Sequence, residues 1–362
     1  MDGYKTPLYE RHLQLKAKIA PFAGWLMPIQ YTSILEEHRW TRTQCSLFDT
    51  CHMGEILISG SLNESGLDKV VTMNLKDLPI GRCAYGFMLN ERGGIIDDLI
   101  VYKLAEDKWM LVVNAGPLEK DVAHLKKHIK TGLKNVSSET AKLDLQGPFS
   151  REILKQWVTS KGLDKLKYYH FSHFPLLGKQ TLISRTGYTG ELGFEFYVPA
   201  SKAEDLWELF LSDKRVKPAG LGARDTLRLE MGYPLYGQDL TEDTTPLEAG
   251  LSRFVDFNKD FIGKDALLKQ KKVGITKRLV GFVADTRRAP RHGYKIWADN
   301  QEVGLITSGS FAPSLGKGIG MGYVNTEYAK AGQQIVIGDG RVEIKAVIAK
   351  RPFYKGGSLH IG

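Results

Sequence analysis

Asn90-Glu91-Arg92-Gly93-Gly94-Ile95-Ile96-Asp97-Asp98-Leu99-Ile100-Val101-Tyr102 reads as a turn feeding a β-strand, with two adjacent carboxylates inside an apolar run. Successive strand side chains point to opposite faces, so Asp97 and Asp98 cannot serve the same site. Strict alternation groups Asp98 with Ile96, Ile100 and Tyr102, and Asp97 with Ile95, Leu99 and Val101. A carboxylate set among apolar side chains is costly unless it is hydrogen-bonded or paired. Two readings stand at this point: a strand-end acid satisfied by water or backbone amides, and an acid kept for chemistry.

Outward from this strand the pattern stays β-rich. Ala84 to Leu89, Ile95 to Lys103 and Lys108 to Asn114 read as strands, and Ala105-Glu106-Asp107 makes a hairpin of the last two. Glu55 to Ser59 is a further strand ended by Gly60, while Leu67, Val70, Val71 and Leu75, and then Leu118, Val122, Leu125 and Ile129, recur at helical spacing. Residues 52–140 therefore form a small α+β unit. In the flanking chain, Thr32-Ser33 caps a helix holding Ile34 to Trp40, and Gln146 to Ser150 opens another. Strands between Leu182 and Val198 surround the turn Gly187-Tyr188-Thr189-Gly190; Ser201 caps a helix over Lys202 to Ser212, and a short helix runs from Ala223 to Met231. Beyond residue 278 short strands and glycine turns dominate, with Asp339-Gly340 a strong hairpin signal, so an antiparallel β-barrel is expected. The expected class is α+β. The expected domains are 1–51 plus 141–272, 52–140, and 278–362.

Length is consistent with two or three domains, since 362 residues exceed a single typical unit. The formal charge of +9 favours anionic partners, but the basic residues are dispersed and form no long tract, so nucleic acid is not expected. Cys45, Cys51 and Cys83 are too few for a disulfide framework and include no CxxC. No apolar run approaches the ~20 residues of a membrane span, and Met1 to Pro7 lacks the core of a secretory signal. A cytoplasmic protein without membrane association is the expectation.

Several local patterns are decoys. Gly316-Lys317-Gly318-Ile319-Gly320-Met321-Gly322 resembles a dinucleotide loop but lies amid β structure rather than between a parallel strand and a helix. Cys51-His52 suggests a thiol–imidazole pair, yet neighbours on a strand diverge. His170 and His173 lack a third ligand at zinc-like spacing, and no GxSxG or P-loop occurs, so no metal is expected.

A set of ordered motifs goes further. Phe22-Ala23-Gly24-Trp25, Phe48-Asp49-Thr50-Cys51-His52-Met53-Gly54-Glu55, Gly93-Gly94-Ile95-Ile96-Asp97-Asp98-Leu99 and Leu145-Gln146-Gly147-Pro148 come first. Ser184-Arg185-Thr186-Gly187-Tyr188-Thr189-Gly190-Glu191, Gly220-Leu221-Gly222-Ala223-Arg224-Asp225 and Pro234-Leu235-Tyr236-Gly237-Gln238-Asp239 follow. From Thr6-Pro7 to Tyr354 the chain resembles the aminomethyltransferase family, the T-proteins of the glycine cleavage system. The resemblance implies a three-domain, clover-like arrangement around a folate pocket. It also implies transfer of an aminomethyl carbon from the lipoyl arm of H-protein to tetrahydrofolate as co-substrate, giving 5,10-methylenetetrahydrofolate and ammonia.

By matching positions, the resemblance makes Asp98 the catalytic carboxylate. It makes Met53, Leu57, Tyr85, Tyr102, Val113, Asn114, Tyr169, Tyr188, Glu191, Glu195, Arg228 and Tyr236 folate contacts. Aromatic and aliphatic groups suit a flat pterin, and carboxylate and amide groups suit its N–H edge. Arg228 suits a glutamyl carboxylate or a bond to Glu191. The alternatives within the same resemblance are a non-catalytic folate-binding protein and a stand-alone tetrahydrofolate-dependent demethylase.

Overall fold

The turn Asn90 to Gly94 is built by one side chain: Asn90 Oδ1 accepts from the amides of Arg92 and Gly94, both at 3.0 Å. Gly93 takes φ 82°, and a Cβ on Gly94 would collide with the Glu242 carbonyl, so both positions need glycine. In this computed structural model, which describes residues 2–158 and 160–359, the strand that follows is Ile95–Ala105. Met1, Thr159 and residues 360–362, which the expected domains include, lie outside the described residues.

That strand is second in a five-stranded antiparallel sheet ordered Cys83–Leu89, Ile95–Ala105, Lys108–Val113, Gly54–Ser59, Leu133–Asn135. Met88 pairs with Asp97 and Leu89 with Ile95, which leaves Ile96 as an inserted bulge residue. The bulge corrects the expected alternation. Ile96 packs with Leu99 and Val101, and Ile95 with Phe87 and Leu89, whereas Phe87 is the cross-strand partner of Asp98. The face bearing Leu99, Val101 and Leu111 is covered by Leu125 of the helix Leu118–His128 and by Leu67 and Val70.

A six-stranded sheet is ordered Phe171–Leu176, Lys179–Ser184, Gly193–Pro199, Thr140–Gln146, Cys45–Asp49, Val216–Pro218, with only the last pair parallel. Phe194, Phe196 and Val198 alternate onto one face beneath Leu206, Trp207 and Phe210. That helix spans Ala203–Leu211 and begins after a short 3-10 turn, Ala200–Lys202, so Ser201 is not its cap. Ser33 does cap Ile34–Thr43, accepting from the Glu36 amide. The other face of the sheet sends Phe171, Leu182 and Tyr197 against Cys83, Tyr102, Met110 and Val112 of the five-stranded sheet.

The third unit is a closed six-stranded antiparallel barrel: Lys277–Ala284, Lys317–Asn325, Gln301–Ala312, Lys295–Ala298, Gln334–Gly338, Glu343–Ala349. Its interior holds Val280, Phe282, Ile296, Ile306, Ile337 and Ile348. The glycine-rich run is its second strand in this order. A Cβ on Gly318, Gly320 or Gly322 would strike the carbonyl of Arg288, Ser308 or Leu305, so these glycines permit close strand approach. Phe87 and Ile95 from the five-stranded sheet, Leu229 and Leu251 from the connecting segment, and Leu279 and Met321 from the barrel share one apolar cluster. This cluster ties the barrel to the rest and lies next to the cavity. Among the described residues no helix is long and apolar enough to cross a membrane.

Candidate active site

A cavity of 1490 Å³ opens where the three sheets meet. Asp98 lies in its wall, partly exposed. Tyr85 donates to Asp98 Oδ2 at 2.8 Å and Asn114 Nδ2 donates to Asp98 Oδ1 at 2.9 Å. The aliphatic and aromatic surroundings desolvate the carboxylate and raise its pKa to about 6, against the lowering effect of these two bonds. A group titrating there is ionised at pH 7.5 and can still change protonation near neutrality.

Asp97 points the other way and is fully buried. Its Oδ2 accepts the Asn114 backbone N–H at 2.9 Å and its Oδ1 accepts Asn114 Nδ2 at 2.8 Å. Burial, then the charges of Asp121 and Asp98, push its pKa up. Asp121, on the helix behind the sheet, is raised to about 7, by burial first and then by Asp98 and Glu242. Asp97 and Asp121 therefore do not both ionise readily at neutral pH.

The cavity gathers most of the residues that the sequence singles out. Met53, Tyr85, Asp98, Asn114, Tyr169, Tyr188, Glu195, Arg228 and Tyr236 all line it. Tyr169 holds φ 60°, a left-handed conformation that costs a non-glycine residue about 1 kcal/mol. Its backbone is secured by Arg185 O and Cys83 N. Tyr188 stacks on Tyr233 at 5.8 Å, and its hydroxyl donates to Pro234 O. Tyr236 accepts from Lys120 Nζ at 3.0 Å. Glu195 accepts Thr186 Oγ1 at 2.8 Å and pairs with Lys142 at 3.1 Å.

Four residues expected as contacts are placed elsewhere. Tyr102 shares Asp98's face, but its ring packs on Phe171 and Tyr197 between the two sheets. Its hydroxyl meets Tyr197 OH at 2.9 Å and Ser184 Oγ at 3.0 Å. Val113 points into the core behind the sheet, and strand alternation brings Val112 to the cavity instead. Leu57 packs against the cluster between the sheets. Glu191 is buried, pairs with Arg42 at 2.8 Å and accepts the Ser358 amide at 2.8 Å, so it anchors the tail that brings Leu359 to the cavity.

Arg228 also differs from expectation: it holds Asp239 at 2.9 Å and Asp225 at 2.8 Å, not Glu191. Further bonds to Tyr233 O and Ser308 Oγ engage all three guanidinium nitrogens. It organises the cavity wall from Pro234 to Gln238 rather than offering a free cation.

Lys142 and Arg224, not expected as site residues, and His52, set aside with Cys51 as a decoy, also line the cavity. Lys142 is buried and paired with Asp144 at 2.6 Å, and Arg224 reaches the same carboxylate at 2.7 Å. The signal was available: Lys142, Asp144 and Gln146 alternate with Ala141, Leu143 and Leu145, and both sets are buried. His52 is buried and kept neutral, its pKa lowered to about 4 chiefly by burial. Its Nδ1 meets no hydrogen-bond partner among the described residues.

A cavity walled by aromatic rings, with the Asp98 carboxylate held by Tyr85 and Asn114 in its wall, is that of a small-molecule enzyme. Comparison with known proteins identifies which kind. Residues 8–259 match the GCVT N-terminal domain, and residues 277–355 match the glycine cleavage T-protein C-terminal barrel domain. The aminomethyltransferase of Halothermothrix orenii is 50% identical over 355 residues, covering 96% of this chain and 99% of that one. That of Thermotoga maritima is 44% identical over 359 residues, covering 97% and 98%. The crystal structure of glycine cleavage system aminomethyltransferase T from Bartonella henselae matches with TM-score 0.91 at 36% identity, covering 98% of each chain. The chain belongs to the glycine cleavage T-protein family, and its activity is that of an aminomethyltransferase.

Proposed function

We propose that the cavity binds tetrahydrofolate and that Asp98 is the carboxylate at which transfer takes place. The carbon arrives as an aminomethyl group on the lipoyl arm of H-protein and leaves as 5,10-methylenetetrahydrofolate, with release of ammonia and dihydrolipoyl H-protein. The observation carrying this reading is the Tyr85–Asp98–Asn114 arrangement, which fixes an acid of pKa about 6 in the wall of a large, mainly apolar cavity.

Transfer puts positive charge on the carbon and nitrogen as the sulfur leaves. A fixed anion close to that charge stabilises it without reorganising, because Tyr85 and Asn114 already hold both oxygens. Tyr169, Tyr188 and Tyr236 offer flat surfaces to a pterin, and Glu195 accepts N–H groups at the cavity edge. The protein's main contribution is to hold a tethered carbon and a folate nitrogen in reacting geometry. The division into domains 1–51 with 141–272, 52–140 and 278–362 is part of the same proposal. It is supported by the grouping of most strands into a six-stranded sheet, a five-stranded sheet and a barrel.

Formation of methylenetetrahydrofolate from tetrahydrofolate and aminomethyl-lipoyl H-protein tests the reading. Absence of turnover with both substrates present would overturn it.

A further inference from the structure

Away from the cavity, the helix Leu118–His128 carries two histidines that the transfer site does not use. His124 and His128 are four residues apart, so they stand one above the other on the same helix face. Their ring centroids are 4.8 Å apart and their planes are inclined at 53°. Both side chains are partly exposed, and neither lines the cavity. His124 Nε2 is shielded from solvent and meets no hydrogen-bond partner among the described residues. Such a nitrogen forfeits the bond it would make in water.

A favourable place for a cation at a helix C-terminus is reason enough for His128, which follows Lys126 and Lys127 in the last turn. It does not account for His124, one turn earlier, with its unmet ring nitrogen. The spacing of the two rings is that of two ligands on one ion. With metal–nitrogen bonds of ~2.1 Å and an angle of about 90–110°, two imidazoles sharing an ion have centroids about 4.5–5.2 Å apart. The observed 4.8 Å falls inside that range. One helix holds both rings, so the second bond to the ion forms within the same element rather than by a second encounter. Burial and Lys127 disfavour positive charge at both rings, while Glu91 favours it at His128 and Glu242 at His124.

We propose that His124 and His128 form a two-histidine surface site for a divalent transition metal, Zn²⁺, Ni²⁺ or Cu²⁺. Imidazole nitrogen suits these ions, whereas Mg²⁺ and Ca²⁺ take oxygen ligands. No cluster of three His, Cys, Asp or Glu side chains occurs among the described residues, so water completes the coordination. The helix covers the face of the five-stranded sheet bearing Leu99 and Val101, and the site is independent of the folate reading. A bound ion ties the last turn of the helix to the turn before it.

The test is calorimetric titration of the tag-free chain, stripped with a chelator, with NiCl2 and with ZnCl2. The wild type should bind one ion per chain. His124→Gln and His128→Gln should each weaken binding at least about tenfold and leave the thermal midpoint of the metal-free protein unchanged. His173→Gln/His292→Gln, at exposed histidines elsewhere, should bind as the wild type does. Pulsed EPR of the wild type with one equivalent of Cu²⁺ requires no substitution and should show two imidazole ligands. No binding by the wild type, undiminished binding by the two single variants, equal loss in the control, or a single imidazole on Cu²⁺ would overturn the site.

Discussion

Asp97 and Asp98 share one amide. Asn114 Nδ2 lies 2.8 Å from Asp97 Oδ1 and 2.9 Å from Asp98 Oδ1, on opposite sides of the strand. Asp97 also binds the Asn114 backbone N–H and so fixes the residue that, with Tyr85, orients Asp98. One acid is the support and its neighbour is the charge presented to the cavity.

On the proposed role of Asp98, its protonation should set the acid limb of activity. Its folded pKa is about 6, so transfer that uses the anion declines as pH falls through 6. The Tyr85 bond lowers that pKa, and its removal raises it. A hydrogen bond to a charged group contributes about 1.5–3 kcal/mol, and 1.36 kcal/mol is one pH unit. With water replacing part of the bond, Tyr85→Phe should move the acid limb of kcat/KM upward by about one unit. A limb that does not move would show that another group titrates.

The Asp97–Asp121 contact makes stability depend on pH. Both acids have folded pKa values above their ordinary range. Between about pH 4 and 7 the folded state then binds more protons than the unfolded state, and stability from this source is lost as pH rises. Asp121→Asn removes the second acid at similar volume. It should leave the thermal midpoint near wild type at pH 5 and raise it at pH 8 by an amount worth at least about 1 kcal/mol. A constant offset at both pH values would contradict the mutual suppression of charge by the two acids.

Arg228 and Asp239 form a buried pair that anchors the wall from Pro234 to Gln238. Asp239→Ala leaves a guanidinium uncompensated and should cost about 3–5 kcal/mol in urea unfolding. Asp225 is half-exposed, so Asp225→Ala should cost no more than about 1 kcal/mol. Equal costs would place the structural charge elsewhere.

Tyr102 should behave as a structural residue. Tyr102→Phe removes a hydroxyl shared with Tyr197 and Ser184 and should cost about 1–3 kcal/mol of stability, with KM for folate changed less than twofold (roughly 0.4 kcal/mol at RT). A large rise in KM without loss of stability would return Tyr102 to the cavity wall.

Much of the architecture was legible because it rests on local rules. Period-two alternation marked the strands, Asp339-Gly340 marked the last barrel hairpin, and Ser33 marked a helix start. What escaped depends on register and partnership. The bulge at Ile96 inverts a face that strict alternation assigns, and no residue type announces it. Val113 and Val112 differ by one step along a strand, and that step decides which reaches the cavity. Arg228 and Glu191 were expected as folate contacts, yet Arg228 lines the cavity with its guanidinium engaged and Glu191 lies outside the cavity lining. Their partners, Asp239 and Arg42, are distant in the alternation pattern and become visible only when the chain is folded.

The central claim is that the Asp98 carboxylate carries transfer while the rest of the cavity carries binding. Its direct test is single-turnover transfer from aminomethyl-lipoyl H-protein to tetrahydrofolate by Asp98→Asn, alongside folate binding by the same variant. The account predicts a loss of rate of at least about a hundredfold, equivalent to some 2.7 kcal/mol of transition-state stabilisation, with folate still bound. Near-normal transfer by Asp98→Asn would contradict it.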